Sequence, residues 1–178
     1  PADIGEELET VLTALAPAED GVIVDLSCGP GFTGRHLAHV GRFARVYGLD
    51  WSVPMLRRAL SAADPQLPLV RADVAHLPFA RGAVAGVHAG AALHMWPDPD
   101  AAIAEAARVL RIGGVLVAST FAYPDAPLLR PLAAAFQAIS SARVFEVEEL
   151  AGTCRVHGLR DFQAHRRGAL ILFSATRG

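Results

Sequence analysis

The sequence has no lysine. Its 16 Lys/Arg positions are all arginine, set against 18 acidic residues, for a formal net charge of −2 over 178 residues. That balance lacks the basic footprint that phosphate-backbone binding needs, so no nucleic-acid partner is expected. Apolar residues make up 52% of the chain, yet no uninterrupted apolar run is long enough to span a bilayer. No signal peptide is visible, although the chain opens on Pro1 rather than Met. Cysteine is scarce as well. Cys28 and Cys154 have no metal-ligand spacing around them, so neither a metal site nor a disulfide framework is expected, and the cytoplasm is the simplest location. There is no internal repeat and no low-complexity tract. The length suits a single domain with a full core. Abundant alanine together with missing lysine points to a high-GC bacterial gene.

What is present is concentrated at Val22-Ile-Val-Asp-Leu-Ser-Cys-Gly-Pro-Gly-Phe-Thr-Gly34. A β-branched run feeds a glycine-rich turn, and a helical pattern opens near Phe32. Glycines there let a ligand lie on bare backbone, and the helix start offers unpaired N–H groups. Gly29, Gly31 and Gly34 satisfy G-x-G-x-x-G, which alone also describes a tight turn with no ligand. The context narrows the choice. A second strand, Arg45-Val-Tyr-Gly-Leu-Asp50, ends in a carboxylate placed to accept hydrogen bonds from both hydroxyls of a ribose. A third, from Leu69, runs into Asp73.

Strand and helix patterns alternate over 22–26, 32–40, 44–49, 53–63, 69–72, 84–89, 99–111 and 115–120, which predicts a parallel sheet covered on both faces. A leading helix over 6–16 carries Leu8, Val11, Leu12 and Leu15 on one face. Ser52 and Asp98 are the expected N-caps, and Gly113 and Gly114 the expected end of the 99–111 helix. Residues 121–145 break the rhythm with Pro124, Pro127 and Pro131 and read as a short lid or substrate-facing insertion. A helix over 146–157 follows, and the tail reads as a β-hairpin turning at 166–168.

The ordered series Asp-Leu-Ser-Cys-Gly-Pro-Gly, Gly-Leu-Asp-Trp-Ser, Ala-Asp-Val-Ala-His-Leu-Pro-Phe, Trp-Pro-Asp-Pro and Ala-Arg-Val-Leu-Arg-Ile-Gly-Gly carries a resemblance. Over residues 20–178 the chain resembles the class I S-adenosylmethionine-dependent methyltransferases, of the small-molecule type related to the ubiquinone and menaquinone C-methyltransferases. The resemblance implies a Rossmann-like, doubly wound, mostly parallel sheet of order 3-2-1-4-5-7-6, closed by the C-terminal antiparallel hairpin. It implies S-adenosylmethionine as cofactor and S-adenosylhomocysteine as product. Asp25 would face the donor's amino group, and Ser27, standing where the family usually has glycine, would border the ligand with Gly29 and Gly31. A positive φ at Ser27 would be strained. Asp50 would hold the ribose, Trp51 or Met55 would lie against the adenine, and Asp73 with the Val74 N–H would read its edge. His88 and the small residues after it would flank the methionine part of the donor.

His94 is the candidate general base, because an imidazole titrates in the range that suits removal of a phenol, enol or acidic carbon proton. It has an equally simple alternative as a packing residue beside Trp96. The chain departs from the family at Arg81-Gly-Ala-Val-Ala85, where relatives carry acids, and in its brief leader. The expected partner is a small-molecule acceptor, apolar because Phe121, Tyr123, Leu128, Leu129, Leu132 and Phe136 fill the insertion. Oligomeric state is open. Two other readings stay open: a protein of this fold with a cyclase or binding role, and an NAD-dependent oxidoreductase, which the antiparallel tail disfavours.

Overall fold

A computed structural model describes residues 4–61, 67–123, 128, 130–140 and 143–178. The chain runs α1 (Ile4–Ala14), a 3₁₀ turn (Ala16–Ala18), β1 (Val22–Leu26), α2 (Phe32–Val40), β2 (Arg45–Asp50), α3 (Val53–Leu60) and β3 (Leu69–Arg71). It continues through β4 (Val84–Ala89), a 3₁₀ turn (Leu93–Met95), α4 (Pro99–Val109), β5 (Leu110–Phe121), α5 (Arg130–Ser140), α6 (Val147–Val156), β6 (Leu159–Arg167) and β7 (Leu170–Arg177). The strands form one seven-stranded sheet of order β3-β2-β1-β4-β5-β7-β6. The pairs from β3 to β5 are parallel, whereas β7 pairs antiparallel with both β5 and β6. The order and the antiparallel insertion are those the sequence implies.

Alternating side chains send each strand to two cores, as the period of two requires. Ile23, Ala85, Val115 and Val117 pack with Val11 and Leu12 of α1, with Leu15 just after it and with Leu37 of α2. Val24, Val84, Val87, Leu116 and Ala118 pack on the other face with Ile103, Ala106 and Ala107 of α4 and Leu150 and Cys154 of α6. The sheet is therefore buried on both faces, which accounts for its near-continuous apolar strands.

The local signals act as the residue types predict. Asp98 Oδ1 accepts the Ala101 N–H at 3.0 Å with Pro99 opening α4, and Ser52 Oγ makes a longer 3.5 Å contact to the Met55 N–H at the start of α3. Gly113 and Gly114 do not end α4. The helix stops at Val109, with Leu110 already extended at φ −66°, ψ 133°. The glycines instead sit in the irregular first part of β5, where Val84 pairs with Leu110 but Gly86 with Val115. Gly113 takes φ +75°, and a Cβ on Gly114 would meet the Ala85 and Arg111 carbonyl oxygens at 2.9 Å. Their small size serves a close strand crossing, which a sequence cannot distinguish from a helix stop.

The two ends of the 121–145 stretch meet. Ala122 bridges Phe145, the Tyr123 N–H donates to the Phe145 carbonyl at 2.9 Å, and the Phe145 N–H donates to that of Phe121 at 3.0 Å. Leu128 and Leu132 are exposed. Of the other apolar residues expected there, Leu129 and the side chain of Phe136 lie outside the described residues.

Candidate functional site

The parallel strands deliver their C-terminal ends to one edge of the sheet, where loops gather the acids. Asp25 is the penultimate residue of β1, Asp50 ends β2, and Asp73 follows β3 by two residues. Between β1 and α2 the backbone takes positive φ three times in five residues: Ser27 (+51°), Gly29 (+55°) and Gly31 (+79°). The loop is tied to β2 from both sides. The Cys28 N–H donates to the Leu49 carbonyl at 2.9 Å, and the Gly29 N–H to Asp50 Oδ2 at 2.8 Å. Asp50 Oδ1 accepts the Ser52 N–H, also at 2.8 Å. Each carboxylate oxygen keeps acceptor capacity beyond the single bond it makes. A Cβ added to Gly29 would meet nothing within 4 Å, so this bare backbone faces open space.

Asp25 and His88 sit at the same register on neighbouring strands. Asp25 Oδ1 accepts from His88 Nδ1 at 2.7 Å, and both residues are buried, at 2% and 4% exposure. Asp25 Oδ2 is buried with no hydrogen-bond partner among the described residues. A buried carboxylate oxygen left bare is costly unless a cationic or donor ligand meets it. That oxygen lies against Gly34, where an added Cβ would come within 2.9 Å of it, while its neighbour His88 lines a cavity of about 180 Å³ with Glu7, Leu8, Val11, Thr33, Gly90 and Ala91. An ammonium-bearing ligand laid along Gly29 fits these residues.

Asp73 is half-exposed at 49% of its side chain, accepts the Ala75 N–H at 2.9 Å, and lies 3.6 Å from His76 Nδ1. Val74 packs against the core of the α4 face. Trp51 is 65% exposed, with the Arg71 guanidinium 4.8 Å above its ring, while Met55 is half-buried in the first turn of α3. Burial pushes the Cys28 thiol up to about 12, with the Asp25 and Asp50 charges adding to the effect. The thiol is therefore protonated at neutral pH and no nucleophile.

His94 stands on the 3₁₀ turn after β4. Its ring packs 4.7 Å from that of Phe121, its Nδ1 is buried without a partner among the described residues, and its carbonyl accepts the Arg143 N–H at 3.1 Å. Desolvation holds its pKa below the ordinary histidine value. Arg143 thus stands directly against the His94 turn.

Two features of the site escape a reading of the sequence. The Trp96 indole N–H donates to Ser27 Oγ at 2.9 Å, joining the glycine loop to the His94 turn across 69 residues. Ser119 Oγ accepts the N–H of Ala91, itself at φ +48°, at 2.8 Å. The only local sign of the first is serine at a position that favours glycine. Ser27→Ala should keep the left-handed strain and lose the bond, destabilising by about 1 kcal/mol. Ser27→Gly loses the same bond but relieves strain of about 1–2 kcal/mol, so its stability should match or exceed that of the parent. Urea denaturation of the three proteins measures the order, and equal losses in both variants would contradict it.

The comparisons with known proteins agree with this geometry. The family model described as a methyltransferase domain matches residues 24–118, more than half of the chain. The chain belongs to that family. An uncharacterized chloroplastic methyltransferase of Arabidopsis thaliana is 41% identical over 185 residues, covering 97% of this chain and 52% of the relative. A demethylmenaquinone methyltransferase of Lactiplantibacillus plantarum is 35% identical over 121 residues, covering 65% of this chain and 51% of the relative. This methyltransferase-family chain therefore spans about half the length of the curated relatives it matches. The crystal structure of an S-adenosylmethionine dependent methyltransferase from Mesorhizobium loti superposes with a TM-score of 0.74 at 22% identity, over 97% of this chain and 96% of that one. That likeness is one of fold. Because a plant and a bacterium both supply relatives, the lysine-free composition does not fix the source. Among the described residues, no helix is long and apolar enough to cross a membrane, and no cluster could hold a metal ion.

Proposed function

We propose that this domain transfers the methyl group of S-adenosylmethionine to a small, apolar acceptor. The observation that carries the reading is the buried, unpartnered oxygen of Asp25 at a sheet edge that also presents Asp50, Asp73 and a bare-backbone loop. S-adenosylmethionine offers an ammonium, a ribose diol and an adenine edge, one for each acid. When bound, it would supply an electrophilic methyl on a sulfonium: in-line attack by the acceptor forms the new bond to the methyl as the sulfur–methyl bond breaks, and S-adenosylhomocysteine leaves as the neutral thioether.

The protein's part is then alignment and exclusion of water, and proximity carries much of the rate. Asp25, steadied by His88, takes the ammonium. Asp50 takes the ribose hydroxyls while anchoring the Gly29 and Ser52 N–H groups. Asp73 and Val74 take the adenine edge, with Trp51 and Met55 beside the ring. The Gly90–Ala92 backbone would leave room at the methyl, with Phe121 and Tyr123 on the acceptor side. A weakly charged, apolar insertion supports a quinone-like or other secondary-metabolite acceptor over a phosphate or a nucleic acid. A reducing aqueous compartment, the cytoplasm among them, suits the two free thiols.

Titration calorimetry with S-adenosylmethionine and S-adenosylhomocysteine tests the reading. Micromolar binding of both is expected, and a folded protein that binds neither ends it. With an acceptor in hand, a product heavier by one methyl group supports transfer, whereas an isomer of unchanged mass supports a cyclase.

A further inference from the structure

The loop after β3 is held by two side chains that stand on a different element from it. Glu105 and Arg108 lie one turn apart on α4, whose buried face packs on the side of the sheet opposite α1 and α2. They bond to each other twice, Arg108 Nε to Glu105 Oε1 at 2.6 Å and Nη2 to Oε2 at 2.9 Å. A helix-surface pair at this spacing ordinarily contributes a few tenths of a kcal/mol and touches nothing else. This pair also holds three backbone groups of one loop. Glu105 Oε2 accepts the Leu77 N–H at 2.8 Å. Arg108 donates to the Leu77 carbonyl at 3.0 Å and to the Phe79 carbonyl at 2.9 Å. The planar guanidinium can serve both carbonyls and the carboxylate at once, which an ammonium cannot do in the same geometry.

The loop so held is the one that carries Asp73 and Val74. Its near half closes on itself, through the His76 N–H to the Asp73 carbonyl at 3.0 Å and the Ala75 N–H to Asp73 Oδ1 at 2.9 Å. Its far half is buried at Leu77, 5% exposed. Among the described residues, the Asp73 carboxylate contacts only the Ala75 N–H and His76, both inside the loop. The direction of that carboxylate follows the loop backbone, which is held on the β3 side by the Ala72 N–H on the Asp50 carbonyl at 3.3 Å and on the far side, at 77–79, by the pair on α4. The hydrogen bond from Arg108 holds the Glu105 carboxyl below its ordinary range, so the clamp is ionised at neutral pH.

We propose that Glu105 and Arg108 are positioning residues for purine recognition: by clamping the 77–79 backbone they fix the aim of Asp73 and Val74 at the adenine edge. This rests on the reading of S-adenosylmethionine as donor. Neither residue touches the ligand in this scheme, so their effect should appear as lost discrimination between purines rather than lost chemistry.

The test compares S-adenosylhomocysteine with S-inosylhomocysteine, which carries a carbonyl oxygen in place of the adenine amino group. Asp73 should accept from the amino group and repel the carbonyl, so the parent protein should prefer the adenosyl ligand by about tenfold or more. In Glu105→Gln and Arg108→Lys, affinity for the adenosyl ligand should fall about tenfold and the preference should shrink toward unity. Turnover at saturating donor should stay within about twofold. A general loosening of the fold would weaken both ligands alike and leave the ratio in place, so an unchanged ratio in the folded variants overturns the inference. The inference is also overturned if the parent binds both ligands equally. Binding of neither ligand by the parent counts against the donor reading itself. Glu105→Gln keeps size and an acceptor oxygen, which makes it the variant to rely on should the arginine replacement unfold.

Discussion

Replacing Asp50 by alanine should reduce affinity for S-adenosylhomocysteine about 100-fold or more, the largest loss expected from any single donor-site change. A hydrogen bond to a charged acceptor contributes about 1.5–3 kcal/mol. Two ribose hydroxyls on one carboxylate therefore account for at least about 3 kcal/mol, and each 1.4 kcal/mol is a factor of ten. The substitution also removes the acceptor of the Gly29 N–H and of the Ser52 N–H, both at 2.8 Å. The glycine loop would lose its tie to β2 where it must lie flat against the ligand. Asp50→Asn should fall almost as far. Its NH₂ group would point a donor at one of those backbone donors. Calorimetry on folded protein decides the matter, and a loss below threefold would remove Asp50 from the proposed site.

What makes Asp50 readable from sequence is that its placement is local. A β-branched run sets the strand, a helix cap follows at Ser52, and the acid between them can only stand at the strand tip. The same holds for Asp25 and Asp73, and for the β6–β7 hairpin, whose antiparallel place beside β5 followed from the family resemblance. The unreadable parts depend on register and crossing. Nothing near Asp25 announces that His88, 63 residues later, lies beside it to bond one of its oxygens and leave the other bare. Gly113 and Gly114 carry the composition of a helix stop, yet the neighbouring Ala85 carbonyl decides their use. Trp96 and Ser27 each look unremarkable alone, and so do Glu105 and Arg108, whose i, i+3 spacing suggests an ordinary surface pair. Their meaning comes from backbone groups that only the fold brings within reach.

His94→Ala should lower turnover by about 10²–10⁴, the span general-base catalysis typically contributes, while affinity for S-adenosylhomocysteine changes less than twofold. The His94 Nδ1 is buried without a partner among the described residues, so in the proposed role the neutral ring would carry its proton on Nδ1 and take the acceptor's proton on Nε2. Phe121 at 4.7 Å and the Arg143 N–H on the His94 carbonyl hold the ring and its backbone between the end of β5 and the returning leg of the insertion. The sign of the pH dependence follows from the desolvation that lowers its pKa. Only neutral imidazole accepts a proton, so turnover should rise with pH along a single limb. Because the pKa is depressed, that limb should lie below the ordinary histidine value of 6.5, with a plateau through neutral and mildly alkaline pH. In the alanine variant the limb should vanish along with most of the rate, and added imidazole should restore part of both. Turnover within threefold of the parent, with the limb retained, would falsify the assignment. It would mean that the acceptor ionises unaided and that alignment by the sheet edge is sufficient for transfer.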